Sequence, residues 1–285
     1  MTNKKGLVLE GGAMRGLFTA GIIDVMMQHE VWPDGLIGVS AGAAFGCNMK
    51  SRQIGRAIRY NMRFAKDKRY SGMGSWLRTG NYFNAEFDYH VVPTQYDVFD
   101  NKAFDENPME FYAVCTDVES GFPVYKQLKQ VTEDTYDWIR ASASMPLAST
   151  VVELDGMKLL DGGVSDSIPL EQFERMGYKR NVVVLTQPEG YVKRPNPLMP
   201  IMRLALWKYP NMIKAMKTRH EMYNGQLAYV HQAEAAGRCL VIRPEKEIPI
   251  GHISHDPAEM KAVYEMGRKT GEEYIERIKA FYQEK

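Results

Sequence analysis

Cysteine is scarce in this chain: three residues in 285, at positions 47, 115 and 239, an odd and widely spaced set with no C-x-x-C. That excludes a disulfide framework, offers no zinc pattern, and makes a reducing compartment the simpler setting. Charge of one sign is lacking as well. A formal net charge of +1 leaves no excess of Lys and Arg to neutralise a run of phosphates, so nucleic acid is not an expected partner and any basic surface must be local. Long hydrophobic runs are absent: no stretch reaches the roughly eighteen apolar residues of a membrane span. MTNKKGLVLEGG carries no apolar core or cleavage site of a signal peptide. The expected location is the cytoplasm, with peripheral contact at the inner membrane surface left open. There is no H-E-x-x-H, no carboxylate cluster and no G-x-x-x-x-G-K-[ST], so neither a metal nor an organic cofactor is expected. Nothing in the sequence speaks to the oligomeric state.

What is present is ordinary for one large α/β core: 45% hydrophobic and 25% charged residues. Compact apolar strands are expected at Gly6–Glu10, Leu36–Ser40, Glu110–Asp117, Lys158–Leu160, Asn181–Thr186 and Cys239–Arg243. Helical spacing covers Gly16–His29, follows Ala41, continues past Pro210 and ends the chain from about Asp256 to Tyr282. Strands alternating with helices predict a three-layer α/β/α fold with a mainly parallel central sheet, whose ligands sit at the carboxyl ends of the strands. Loops are expected at Tyr70–Asn81 and Glu189–Pro200.

Three glycine-bearing segments carry the chemistry. In GVSAG, Gly38–Gly42, one hydroxyl sits between a strand and a helix. A strand-to-helix elbow turns so tightly that the residues two before and two after the nucleophile must be small, which accounts for Gly38 and Gly42 around Ser40. Alone, the pentapeptide also reads as a glycine turn with a capping serine. In LEGGAMRG, Leu9–Gly16, the backbone of Gly11, Gly12 and Ala13 can donate N–H groups to an oxyanion at the start of a helix. Arg15 adds positive potential or anchors the loop, and Gly16 opens the helix; G-x-G-x-x-G does not fit, which disfavours a phosphate loop. In LLDGGVSDSIPL, Leu159–Leu170, Asp161 ends a short strand and is the candidate base, with Gly162 and Gly163 leaving room beside it. By itself D-G-G is a common turn. Asp166 reads as a capping or loop residue.

GGAMRG, GVSAG, ASASMP (Ala141–Pro146) and DGG (Asp161–Gly163), in that order, resemble the patatin-like phospholipases, serine acyl hydrolases known in bacteria. The resemblance covers about the first two-thirds of the chain and thins beyond residue 190. It implies a single patatin-like domain over 1–285, with 190–285 a less typical helical part, and a Ser/Asp dyad of Ser40 and Asp161. It also implies an oxyanion hole at Gly11, Gly12 and Ala13, where Ala13 stands in place of a third glycine. ASASMP is implied to shape the site without a chemical step. The implied substrate is a lipid or other acyl ester of the phospholipase A or lysophospholipase kind. A thioesterase, a small-ester esterase, an acyltransferase or a catalytically silent lipid-binding protein are the alternatives.

Two further readings stay open. The order Ser40, Asp161, then His252 or His255 in GHISHDP is that of a Ser/Asp/His hydrolase. Pro197–Gly225, rich in Met, Trp, Lys and Arg, suits a lid or an interfacial face. Met212, Met216, Tyr223, Leu227 and Val230 form a helical stripe there that more simply packs into the core.

Overall fold

The computed structural model describes residues 4–283. Strands β1 (Lys4–Leu9) and β2 (Gly35–Val39) are joined by helix α1 (Gly16–Gln28), and β2 runs into α2 (Ala41–Lys50) and α3 (Arg56–Phe64). The segment read as a loop over Tyr70–Asn81 instead contains helix α4 (Met73–Thr79), seven residues held between Gly72 and Gly80. Those flanking glycines supplied the loop signal. A wide-turned helix over Phe87–Tyr96 and a short α5 (Asn101–Glu106) lead into β3 (Glu110–Asp117) and β4 (Pro123–Gln127). Then come α6 (Thr135–Ser142), β5 (Val152–Leu154), β6 (Met157–Asp161), α7 (Leu170–Arg175), β7 (Tyr178–Val184), α8 (Met199–Ala205), α9 (Pro210–Ala235), β8 (Cys239–Ile242) and α10 (Pro257–Gln283).

The strands form one sheet with helices on both faces, a three-layer α/β/α architecture. Its parallel body runs β8, β7, β1, β2, β3. Alternate side chains divide between the layers: Leu7 and Leu9 pack with α1, α2 and α10, whereas Val8 packs with α7 and α9. Burial on both faces is why these strands read as unbroken apolar runs.

The sheet is not parallel throughout. β4 and β6 both pair antiparallel to β3, and β5 pairs antiparallel to β6. A strand has two edges. Residues Tyr112–Thr116 pair with β4 on one of them, so β2 and β6 must share the other: β2 occupies it as far as Val114, and β6 takes over at Cys115. The last residue of β2, Val39, lies opposite Val114, and the last of β6, Asp161, opposite Cys115. Two strands approaching from opposite directions therefore end nose to nose on one edge of β3. That junction positions the site.

The carboxyl-terminal elements are built into the same body. β8 extends the sheet beside β7, and α10 lies against α1 at points where Gly21 and Gly267 allow backbone contact. A Cβ on Gly267 would fall 2.0 Å from the carbonyl oxygen of Phe18. Among the described residues, no helix is long and apolar enough to cross a membrane.

Candidate active site

Ser40 stands where β2 stops and α2 begins, in a backbone conformation (φ 55°, ψ −121°) that side-chain-bearing residues rarely adopt. Its neighbours must be small because the turn folds back on itself. A Cβ on Gly38 would lie 2.5 Å from the carbonyl oxygen of Gly42, and one on Gly42 would lie 2.4 Å from that of Leu9. The glycine loop is equally close: a Cβ on Gly11 would come within 2.9 Å of the Ser40 Cβ.

Head-on meeting of β2 and β6 brings the two candidate side chains together. Ser40 Oγ donates to Asp161 Oδ2 at 2.6 Å, and both residues are buried. The second carboxylate oxygen, Oδ1, accepts the Gly163 N–H at 2.7 Å, which fixes the rotamer. Gly162 is pressed on the carbonyl of Val114, and Gly163 sits beside the Arg219 guanidinium. Burial pushes the Asp161 carboxyl above the usual carboxylate range, against the opposing effects of Ser40, Arg219 and the Gly163 amide. A base raised in this way holds a proton more readily once it has taken one.

The candidate oxyanion loop lies alongside. The N–H groups of Gly11, Gly12 and Ala13 meet no acceptor among the described residues, and all three residues line the cavity that contains Ser40 and Asp161. Gly12 is pressed against Thr186. Ala13 has φ 49°, so the alanine takes up the left-handed conformation that glycine adopts without penalty. Gly16 packs its bare Cα against Ala41 and Phe45. Arg15 turns into the cavity, where Nη1 meets His252 Nε2 at 2.9 Å.

Several supports were not singled out from the sequence. Ser142, in ASASMP, accepts the Ser40 N–H at 3.0 Å and donates to the Val114 carbonyl at 2.6 Å, tying the elbow to β3. The Asp161 N–H donates to Ser144 O at 2.8 Å, and Thr116 Oγ1 donates to Asp161 O at 2.8 Å. Glu10 is buried under the glycine loop, accepting from Tyr223 Oη and the Thr186 N–H, both at 2.5 Å. Only the run of small residues in ASASMP hinted at this bracing. Asp166 does not cap a helix; it accepts from Tyr125 Oη and Gln226 Nε2, each at 2.6 Å.

Neither histidine of GHISHDP hydrogen-bonds to Ser40 or Asp161. His252 pairs with Arg15, and His255 is held by Tyr82 Oη at 2.9 Å and the Ala65 carbonyl at 2.8 Å. In the segment from Pro197 to Gly225, Met212, Met216 and Tyr223 are buried, as is Val230 beyond it, so the stripe is core. Leu227 packs half-buried beside them. The preceding α8 differs: Leu198, Ile201, Leu204 and Trp207 on and around it are exposed.

Ser40 lies where two cavities meet. One is walled chiefly by apolar and aromatic side chains, among them Phe45, Tyr60, Phe83, Val92, Phe99 and Ile139. The other holds Asp161, the glycine loop and a cluster of basic side chains.

A family model described as patatin-like phospholipase matches residues 7–174, and one described as a domain of unknown function matches residues 209–283. The chain is 28% identical to the uncharacterized protein YjjU of Escherichia coli, over 98% of this chain and 79% of that one. It is 25% identical to lysophospholipase nte1 of Aspergillus terreus and 26% identical to lysophospholipase NTE1 of Coccidioides immitis. Each match covers 96% of this chain but 18% of the relative, so the chain spans under a fifth of those proteins' length. Among solved structures, VipD from Legionella pneumophila is similar at 13% identity with a TM-score of 0.46, covering 97% of this chain and 67% of that one.

Proposed function

The chain belongs to the patatin-like phospholipase family, a carboxylic ester hydrolase by that membership, and from this premise we propose that Ser40 and Asp161 cleave acyl esters of lipids as a dyad. Ser40 Oγ attacks the ester carbonyl while Asp161 Oδ2 takes its proton. The carbonyl oxygen becomes an oxyanion facing the N–H groups of Gly11, Gly12 and Ala13. As the tetrahedral intermediate collapses, the C–O bond to the alcohol breaks and Asp161 returns the proton to the departing oxygen. Water then attacks the acyl-serine, losing its proton to Asp161, and the fatty acid leaves as Ser40 regains its hydrogen. No metal or organic cofactor enters any step.

One observation carries this reading: the buried 2.6 Å hydrogen bond from Ser40 to Asp161, with no intervening histidine. The apolar cavity beside Ser40 suits an acyl chain, and relatives named lysophospholipase favour a lipid ester. The exposed side chains of α8 favour contact with a lipid surface, which we place at the cytoplasmic face of the membrane.

The test is labelling with a fluorophosphonate together with turnover of lipid and p-nitrophenyl esters. Ser40→Ala is expected to abolish both, and Asp161→Asn to lower kcat by about 10³-fold or more. Retained activity in Asp161→Asn with loss in His252→Ala or His255→Ala would refute the dyad.

A further inference from the structure

The cavity on the polar side of Ser40 collects Arg15 from the glycine loop, Lys193 from the loop after β7, Arg219 from α9 and His252 from the loop before α10. None of Arg15, Lys193 and Arg219 forms an ion pair among the described residues. Arg15 Nη1 is directed at His252 Nε2 at 2.9 Å, Arg219 Nε donates to the Gly163 carbonyl at 2.5 Å, and Lys193 Nζ lies over the Tyr223 ring at 4.7 Å. An arginine can only donate, so His252 Nε2 accepts and its proton sits on Nδ1, leaving a neutral ring with one N–H. Burial and the neighbouring Arg15, Lys193 and Arg219 all hold that ring below the usual histidine range.

Two carboxyl groups face the same space, and both are already engaged: Glu10 with Tyr223 and Thr186, Asp161 with Ser40 and Gly163. Burial raises both, and neither forms a direct ion pair with the three basic side chains. Lys193 is lowered to about 8 by its own burial and by repulsion from Arg219 and Arg15. Three clustered basic side chains without a direct ion pair repel one another, and a bound anion would relieve that repulsion. The ester oxyanion is met by main-chain donors. The surplus matches a phosphate, which charged forks and ammonium groups recognise by several charge-assisted hydrogen bonds. In the same wall the buried Gln187 Oε1 has no hydrogen-bond partner among the described residues, an acceptor left for a hydroxyl.

We propose that this cavity is a subsite for the phosphate of a glycerophosphate head group, seated on Arg15, Lys193 and Arg219 while the acyl chain enters the apolar cavity beyond Ser40. The site is thereby selective for phosphate-bearing monoacyl lipids over neutral ones. This inference rests on Ser40 as the nucleophile. Ser40, with Ala13 and Met145, lines both cavities, so the ester of such a lipid reaches it with charge on one side and chain on the other.

The test compares 1-palmitoyl lysophosphatidate with 1-palmitoylglycerol in the same detergent. The ratio of kcat/KM is expected to exceed about tenfold for the native chain, to fall at least about tenfold in Lys193→Gln, and to recover in Lys193→Arg, which keeps the charge. Glycerol 3-phosphate titrated calorimetrically into Ser40→Ala is expected to bind, and to lose binding in Ser40→Ala/Lys193→Gln. A ratio near one that ignores residue 193 overturns the proposal. Binding of inorganic phosphate as tight as glycerol 3-phosphate, with no preference for lysophosphatidate, would overturn the head-group assignment in favour of a free-anion site. If the native chain turned over neither lipid and resisted fluorophosphonate, the nucleophile reading would fail, and calorimetry on Ser40→Ala alone would decide the subsite.

Discussion

Asp161, the proposed base, shows what burial does to a carboxylate. Its ordinary range is near 4, where it would be a feeble acceptor, and removal from water raises it while Ser40, Arg219 and the Gly163 amide restrain the rise. The acid limb of kcat/KM is therefore expected above the usual carboxylate range and should vanish with the residual rate in Asp161→Asn, checked by pH profiles on a neutral ester. The same shift has a stability sign. A raised folded-state carboxyl costs stability above that pKa and recovers it as the pH falls, so Asp161→Asn is expected to melt no lower than the native chain at neutral pH. Lys193 titrates in the opposite sense. With a pKa lowered to about 8, it loses its charge as pH rises through that value, facing Arg15, Arg219, His252, Glu10 and Asp161. The preference for a phosphate-bearing lipid should weaken between about pH 7 and 9 and hold steady in Lys193→Arg. Ser40, Asp161 and the glycines were visible in the sequence because a tight turn or a close backbone approach demands particular residue types. Lys193 and Arg219 were not, since isolated basic residues carry no spacing signal and only the fold brings them together.

Among the elements, the contact of α1 with α10 binds the two ends of the chain. Gly21 faces the Tyr264 carbonyl and Gly267 faces that of Phe18, each so near that an added Cβ would strike backbone, at 2.3 and 2.0 Å. Gly267→Ala is expected to cost about 1–3 kcal/mol, read as a lower denaturant midpoint. An unchanged midpoint would mean that α10 is only loosely attached. Hydrophobic runs made β1, β2, β3, β7 and β8 legible, because strands buried on both faces leave no polar alternation to confuse with helix. β4 and β5 were missed for the opposite reason: all of β4 and most of β5 lie partly open to solvent. The direction of β6 was equally hidden. Its apolar residues are the same in either orientation, and the antiparallel pairing with β3 is what sets Asp161 opposite Cys115, one residue beyond the Val39–Val114 pair.

At the scale of the whole molecule, the two cavities need a route for a lipid to arrive, and the exposed apolar side chains suggest where it lies. Met73, Trp76 and Leu77 on α4 are 60%, 39% and 75% exposed, and Leu204 and Trp207 at the end of α8 are 77% and 68% exposed. Both helices attach to the same stretch after α6. Trp76 Nε1 donates to the Leu147 carbonyl at 2.9 Å, and Leu147 packs against the cluster that contains Met202 of α8 and Leu206 just after it. Two residues earlier, Met145 lines both cavities. A lipid surface meeting α4 and α8 would thus lie near the segment that walls the site. Transfer of Leu204 and Trp207 out of water is worth about 1.5–3 kcal/mol each, or at least about a factor of ten apiece in partition. Leu204→Asp with Trp207→Asp is therefore expected to reduce the ratio of turnover on anionic phospholipid vesicles to turnover of p-nitrophenyl butyrate by about 10²-fold or more. Sedimentation of the Ser40→Ala protein with the same vesicles should fall in parallel. Equal losses on packed and soluble substrates would show instead that α8 supports the site from within, through Met202 and Leu206, and that the exposed face plays no part in docking.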